Sequence, residues 1–189
     1  MGTSKALLAF GAETMLQRVV RLLSSVVSPI VVVAAAEQFL PALPTDVIVT
    51  RDEQQGRGPL EGLRAGLKAL PETIESAYVT SCDVPLLVPD FVRRMIELLT
   101  EHDIAVTEID GFPHPLSAVY RRRTLPHVDA LLAQNRLRPA FLFDLVLTRR
   151  VRPAEMISVD PELLTLRNLN TREDYVKALS IAGLPLNPM

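Results

Sequence analysis

The chain has 189 residues, 48% hydrophobic and 22% charged, which suits a single folded domain with a substantial core. Twenty Lys+Arg stand against 22 Asp+Glu, so there is no basic footprint for nucleic-acid binding. Cys82 is the only cysteine, which excludes an intrachain disulfide framework and fits a reducing compartment. No apolar run approaches the ~20 residues of a membrane span and the N-terminus has no signal-peptide pattern, so a cytoplasmic protein without membrane contact is expected.

Residues 14–27 carry Met15, Val19, Leu22, Leu23 and Val26 at helical spacing. Residues 30–35 form a continuous β-branched run, as in a strand covered on both faces, and residues 46–50 form a second. Pro59 then occupies a favourable first position for a helix reaching residue 70. A strand over 77–81 and a helix over 89–100 complete a β-α-β-α alternation. This predicts a Rossmann-like, mostly parallel sheet with helices on both faces, a three-layer α/β/α sandwich.

The second half is less regular. Strands are expected over 104–109 and 116–120, separated by Asp110-Gly111-Phe112-Pro113-His114-Pro115 as a wide turn facing a substrate cleft. Arg121-Arg122-Arg123 reads as a solvated strand end. Helices over 124–134 and 139–147 follow, then a short strand near 149–152. Thr171-Arg172-Glu173-Asp174 is a capping-box-like start for a last helix to about residue 181. Residues 183–189 read as a frayed, proline-bearing tail.

Two features carry chemistry. Cys82-Asp83-Val84-Pro85-Leu86 closes the strand over 77–81, and a carboxylate at the carboxyl end of a strand sits where open α/β sheets bind ligands. Gly58-Pro59 opens a helix, and the N–H groups at a helix start suit anions. An acid for a metal and a turn for a phosphate suggest nucleotide chemistry, in which Mg2+ needs only one or two carboxylates. Asp52 follows the strand over 46–50 and so shares a sheet edge with Asp83, although alone it is equally a surface turn residue. Lys5, by itself, is a solvated charge. His114, between two prolines, is a turn residue or a ligand contact, and its spacing from His102 and His127 does not suit a metal. Asn168 and Asn170 alternate along an extended segment and so face one side, while Asn170 or Thr171 also suits the cap of the last helix. Cys82 has no cationic neighbour to make a reactive thiolate and reads as a packing residue.

The residues quoted above resemble the molybdenum cofactor guanylyltransferase family, within the nucleotidyltransferases of nucleotide-diphospho-sugar transferase fold. The likeness runs almost end to end through residues 1–8, 58–63, 82–86, 114–116 and 168–171. It implies one nucleotidyltransferase domain over 1–189, with 1–100 as the nucleotide-binding half, 101–182 as the acceptor-binding half and 183–189 as a tail. It also implies transfer of GMP from GTP to the terminal phosphate of Mo-molybdopterin, with Mg2+ as cofactor and pyrophosphate released. By position, Lys5 matches a phosphate-contacting lysine and Asp83 the Mg2+-binding aspartate, both catalytic. Asp52, Gly58 and Pro59 match nucleotide-binding positions, and His114, Pro115, Asn168 and Asn170 line the pterin side. A monomer or small homo-oligomer fits.

The family opens with a strand and a glycine-rich loop of which Met1-Gly2 matches only the end. The expectation is that an internal methionine has been taken as the start, because without that segment apolar surface and strand edges lie uncovered. Ala34 stands where some members carry an amide near the guanine. Three alternatives stay open. In a cytidylyltransferase acting on the same cofactor, the turn at Gly58-Pro59-Leu60 is typically serine-rich and a glutamine tends to replace Val84. A non-catalytic paralogue would bind molybdopterin or a partner without turnover. A nucleotide-sugar pyrophosphorylase would need a larger sugar-binding half than this chain has room for.

Overall fold

A computed structural model describes residues 4–186 except 53 and 55. The Met1-Gly2 match, part of the loop after Asp52 and the end of the 183–189 tail lie outside the described residues. A 3-10 turn at Lys5–Leu7 leads into a miniature hairpin of β1 (Ala9–Phe10) and β2 (Glu13–Thr14), too short for any periodicity to reveal. Helix α1 (Met15–Ser24) starts on a complete capping box: the Gln17 backbone N–H donates to Thr14 Oγ1, and the Thr14 N–H donates to the Gln17 side chain. Strand β3 (Val31–Ala34) pairs in parallel with β4 (Ile48–Arg51). Helix α2 (Gly58–Ala69), β5 (Ser76–Thr80) and α3 (Pro89–Glu97) follow in the expected alternation.

The remaining elements are β6 (Ile104–Ile109), β7 (Phe112–Arg121), α4 (Leu125–Ala133), α5 (Ala140–Phe143), β8 (Thr148–Val151) and α6 (Arg172–Ile181). They build a four-stranded sheet ordered β5-β7-β6-β8, in which β7 alone runs against its neighbours. Ile104, Val106, Ala118 and Tyr120 face a core shared with Leu60, Leu63 and Leu67 of α2 and with Val128 and Leu131 of α4. Ala105 and Val119, one residue out of step, face Phe91 and Met95 of α3. Strands buried on both sides between helices make the three layers. No helix among the described residues is long and apolar enough to cross a membrane.

Two expectations need correction. The wide turn over 110–115 is a tight hairpin: Asp110 and Gly111 both adopt positive φ (51° and 80°), as the Asp-Gly turns favoured between twisted strands require. Phe112, Pro113, His114 and Pro115 therefore belong to β7. Its pairing with β6 slips between Val106, opposite Ala118, and Thr107, opposite His114. Side chains bond carbonyls in the slipped stretch, with Thr107 Oγ1 donating to Ser117 O (3.0 Å) and the Tyr120 hydroxyl to Pro115 O (2.8 Å). The helix over 139–147 is only α5, four residues long.

The Arg121-Arg122-Arg123 cluster is less solvated than its sequence implies. Arg121 donates to Thr100 O and His102 O, Arg122 to Leu70 O and Pro71 O, and Arg123 pairs with Asp103. These guanidiniums fasten the loops at one end of the sheet.

Candidate active site

Asp83 lies just past the carboxyl end of β5, and three parts of the chain converge on it. Its backbone carbonyl accepts from the Leu169 N–H at 2.9 Å, which docks the segment before α6 against the strand end. Its Oδ1 accepts from the Ser81 hydroxyl and from Asn168 Nδ2 (2.8 Å), while Oδ2 accepts from Lys5 Nζ at 2.8 Å. The same ammonium donates to Asn170 Oδ1 at 2.7 Å. Thr171 caps α6 through the Asp174 N–H, and the Asp174 carboxylate accepts from the N–H groups of both Asn170 and Thr171. The capping duty thus falls on Thr171, which leaves both asparagine side chains facing Lys5 and Asp83.

Burial alone would raise the Asp83 carboxyl, but the hydrogen bonds from Lys5, Ser81 and Asn168 and the lysine's charge outweigh it and hold it below the usual carboxylate range. Burial and the charge of Asp83 push the Cys82 thiol upward, which fits a packing residue.

A second group sits just past the carboxyl end of β4, in the two-stranded sheet. The Asp52 N–H continues the ladder from β4 by donating to Ala34 O (3.0 Å). Its Oδ1 is buried without a hydrogen-bond partner among the described residues, beside Gly62, whose absent Cβ would stand 3.8 Å away. Burial and then the negative charge of Glu61 raise the Asp52 carboxyl. Gly58, which opens α2, has φ of 67° with open space around it, so backbone conformation is what favours glycine there. Among the described residues no side chain caps this helix start; Arg57 turns away to Gln54 and Leu132 O. Asp52, Gly58 and Pro59 line one cavity.

The structure therefore joins Lys5, Asp83, Asn168 and Asn170 by direct bonds and gathers Asp52, Gly58 and Pro59 around a separate hollow. His114 and Pro115 stand apart from both. They lie on β7 beyond Ser117, which pairs with Thr80 at the end of β5, and so on the Asp83 side of the sheet. Burial lowers the His114 imidazole, which is neutral at neutral pH. Ser81 is the residue that sequence reasoning missed. A hydroxyl two residues before the acid was the available signal for Ser81. Among the described residues no three His, Cys, Asp or Glu side chains gather as a metal cluster.

The chain finds its counterparts among nucleotidyltransferases. The family model described as "MobA-like NTP transferase domain" matches residues 1–147. The molybdenum cofactor guanylyltransferase of Desulfosudis oleivorans is 31% identical over 178 residues, covering 94% of this chain and 86% of that protein. A probable molybdenum cofactor guanylyltransferase of Mycobacterium avium is 36% identical over 186 residues, covering 96% and 89%. Two crystal structures share the fold. Molybdopterin-guanine dinucleotide biosynthesis protein A of Archaeoglobus fulgidus superimposes with a TM-score of 0.79 at 18% identity, covering 96% of this chain and 92% of that one. The 2-C-methyl-D-erythritol 4-phosphate cytidylyltransferase of Thermus thermophilus gives 0.72 at 16% identity, covering 95% and 94%. The protein is a nucleotidyltransferase of nucleotide-diphospho-sugar transferase fold. More narrowly, the chain belongs to the molybdenum cofactor guanylyltransferase family.

Proposed function

We propose that this protein transfers GMP from GTP to the terminal phosphate of molybdopterin and releases pyrophosphate. The observation that carries the reading is the Lys5–Asp83 pair, buttressed by Asn168 and Asn170, at the sheet edge where such folds bind nucleotides. In the transfer, an acceptor phosphate oxygen forms a bond to the α-phosphorus of GTP while the bond to the bridging oxygen of pyrophosphate breaks. No protein nucleophile is needed, so positioning and charge neutralisation dominate.

Asp83 fits a Mg2+ ligand: it stays ionised, and a lone carboxylate suffices when phosphates supply further oxygens. When bound there, Mg2+ would neutralise charge building on the phosphates. Lys5, which spans Asp83 and Asn170 in the free protein, is placed to trade one of those partners for a phosphate oxygen. Asn168 and Ser81 hold the Asp83 carboxylate in one orientation. The uncapped start of α2 offers N–H groups to a phosphate beside Asp52. His114, neutral at neutral pH, is suited to a hydrogen bond with the pterin acceptor, with Pro115, Asn168 and Asn170 beside it.

The choice of GTP over CTP rests on the Gly58-Pro59-Leu60 turn and on Val84 between Asp83 and Pro85, and the guanylyltransferase relatives support it. Calorimetric titration with each nucleotide and Mg2+ tests it. The account expects tighter binding of GTP; equal or preferred binding of CTP would move the protein to the cytidylyl branch.

A further inference from the structure

Residues 84–87, which follow Asp83, are buried throughout, and helix α1 grips them side chain by side chain. Val84 and Leu87 pack with Val19 and Leu23, while Leu86 packs with Met15 and with Phe10. Between these apolar contacts lies one polar contact. Arg18, which borders the buried stripe of α1, donates from Nε to Pro85 O at 2.7 Å. Its guanidinium carbon stands 4.9 Å from the centre of the buried Phe10 ring.

An arginine is a costly choice at this place, because burial holds its guanidinium below the ordinary arginine range. Its bond ends on a neutral carbonyl, so what it supplies is a donor for a main-chain acceptor inside a buried turn. Pro85 has a fixed φ and no N–H of its own, which leaves its carbonyl as the polar handle of that residue. Two residues earlier, Asp83 O accepts from the Leu169 N–H at 2.9 Å. The main chain is thus pinned on both sides of Val84, by the segment before α6 and by α1. Beyond it, the Val88 N–H donates to Thr165 Oγ1 at 3.0 Å. Lys5, Ser81 and Asn168 orient the Asp83 carboxylate, but they act on a backbone that these bonds put in place.

We propose that Arg18 is a positioning residue for the transfer: through Pro85 it fixes the backbone after Asp83, and so where the Asp83 carboxylate stands relative to Lys5. The inference rests on the reading of Asp83 as the acid of a nucleotidyl transfer. Its working part is the Nε–H donor rather than the positive charge. Without that donor the turn is free to shift, and a displaced acid loses more in the transition state than in nucleotide binding.

The test compares Arg18→Gln with Arg18→Met in the whole protein. Both variants remove the charge and the guanidinium over Phe10, and both side chains reach as far as Nε does. Glutamine places an N–H donor at that point and methionine a methyl group, so the pair isolates the donor. Two quantities are read: steady-state GMP transfer, and the carbon resonance of the labelled Asp83 carboxyl. The expected result is that Arg18→Met lowers kcat about tenfold, keeps KM for GTP within about twofold and moves the Asp83 resonance. Arg18→Gln regains most of the rate and the wild-type resonance. Equal rates and equal resonances in the two variants overturn the proposal, as does a loss in Arg18→Met confined to its melting temperature. Should Arg18→Met not fold, Arg18→Gln decides alone, and a tenfold loss of kcat in it overturns the proposal. A wild-type protein that transfers no GMP overturns the proposed function only, and the Asp83 resonance in the two variants then decides whether Arg18 positions the acid.

Discussion

At the scale of single residues, Lys5 and Asp83 set each other's chemistry. The lysine side chain is 34% exposed and the carboxylate 13%, so the pair is partly desolvated and directional. Lys5→Met removes one of the three side chains that bond the acid among the described residues, and with it a cation in direct contact. Two outcomes are expected. The Asp83 carboxyl rises toward the ordinary range, read by carbon NMR of the labelled carboxylate, and nucleotidyl transfer falls by about 10²-fold. Unchanged transfer with a shifted carboxyl would make Lys5 a structural counter-ion only.

Asp52 behaves in the opposite sense. Its folded carboxyl is raised by burial and by Glu61, so the folded state holds its proton more tightly than the unfolded chain does. The resulting stabilisation is present below the unfolded value, near 3.9, and is lost as pH rises through the folded one. At neutral pH the buried charge is a cost. Asp52→Asn is expected to raise the melting temperature at pH 7 and to leave it unchanged well below pH 4, measured by thermal unfolding at both. A drop at pH 7 would mean that the carboxylate has a donor outside the described residues.

At the scale of elements, α6 does more than pack. Thr171→Ala removes its cap and loosens the turn that aims Asn170 at Lys5, at a cost of about 1 kcal/mol. Denaturant unfolding should show that loss, and nucleotide binding should weaken with it. The strands over 30–35, 46–50 and 77–81 and the helices around them were legible because continuous β-branched runs and 3.6-residue spacing report burial directly. Asp110-Gly111 was read only as part of a wide turn, because prolines at 113 and 115 are rare inside strands, and that hid the first half of β7. The slipped pairing that Thr107 and Tyr120 stabilise depends on contacts across strands, which no local pattern encodes. Lys5 carried no signal of its own. Its role at Asp83 comes from a fold that brings residue 5 beside residue 83, and resemblance rather than spacing pointed to it.

At the scale of the molecule, two helical layers grip a sheet whose central strands, β6 and β7, are buried on both faces over much of their length. Phe91 of α3 is fully buried against Ala105, Val119 and Met156, and Phe91→Ala should cost about 3–5 kcal/mol, measured by denaturant unfolding. Among the described residues β3 and β4 form a separate two-stranded sheet, with a hollow of about 900 Å³ between β3 and β5. Composition and periodicity gave no hint of that gap, since each flanking run looks like an ordinary buried strand.

The central claim is nucleotidyl transfer of GMP at the Lys5–Asp83 site. The most direct measurement incubates the protein from its own cells with GTP labelled at the α-phosphate, molybdopterin and Mg2+, beside an otherwise identical Asp83→Asn variant. The account predicts label on the pterin acceptor and one pyrophosphate per transfer, only when both substrates are present, with the variant slower by about 10²-fold or more. Transfer at the wild-type rate by Asp83→Asn, or equal transfer from labelled CTP, would contradict it.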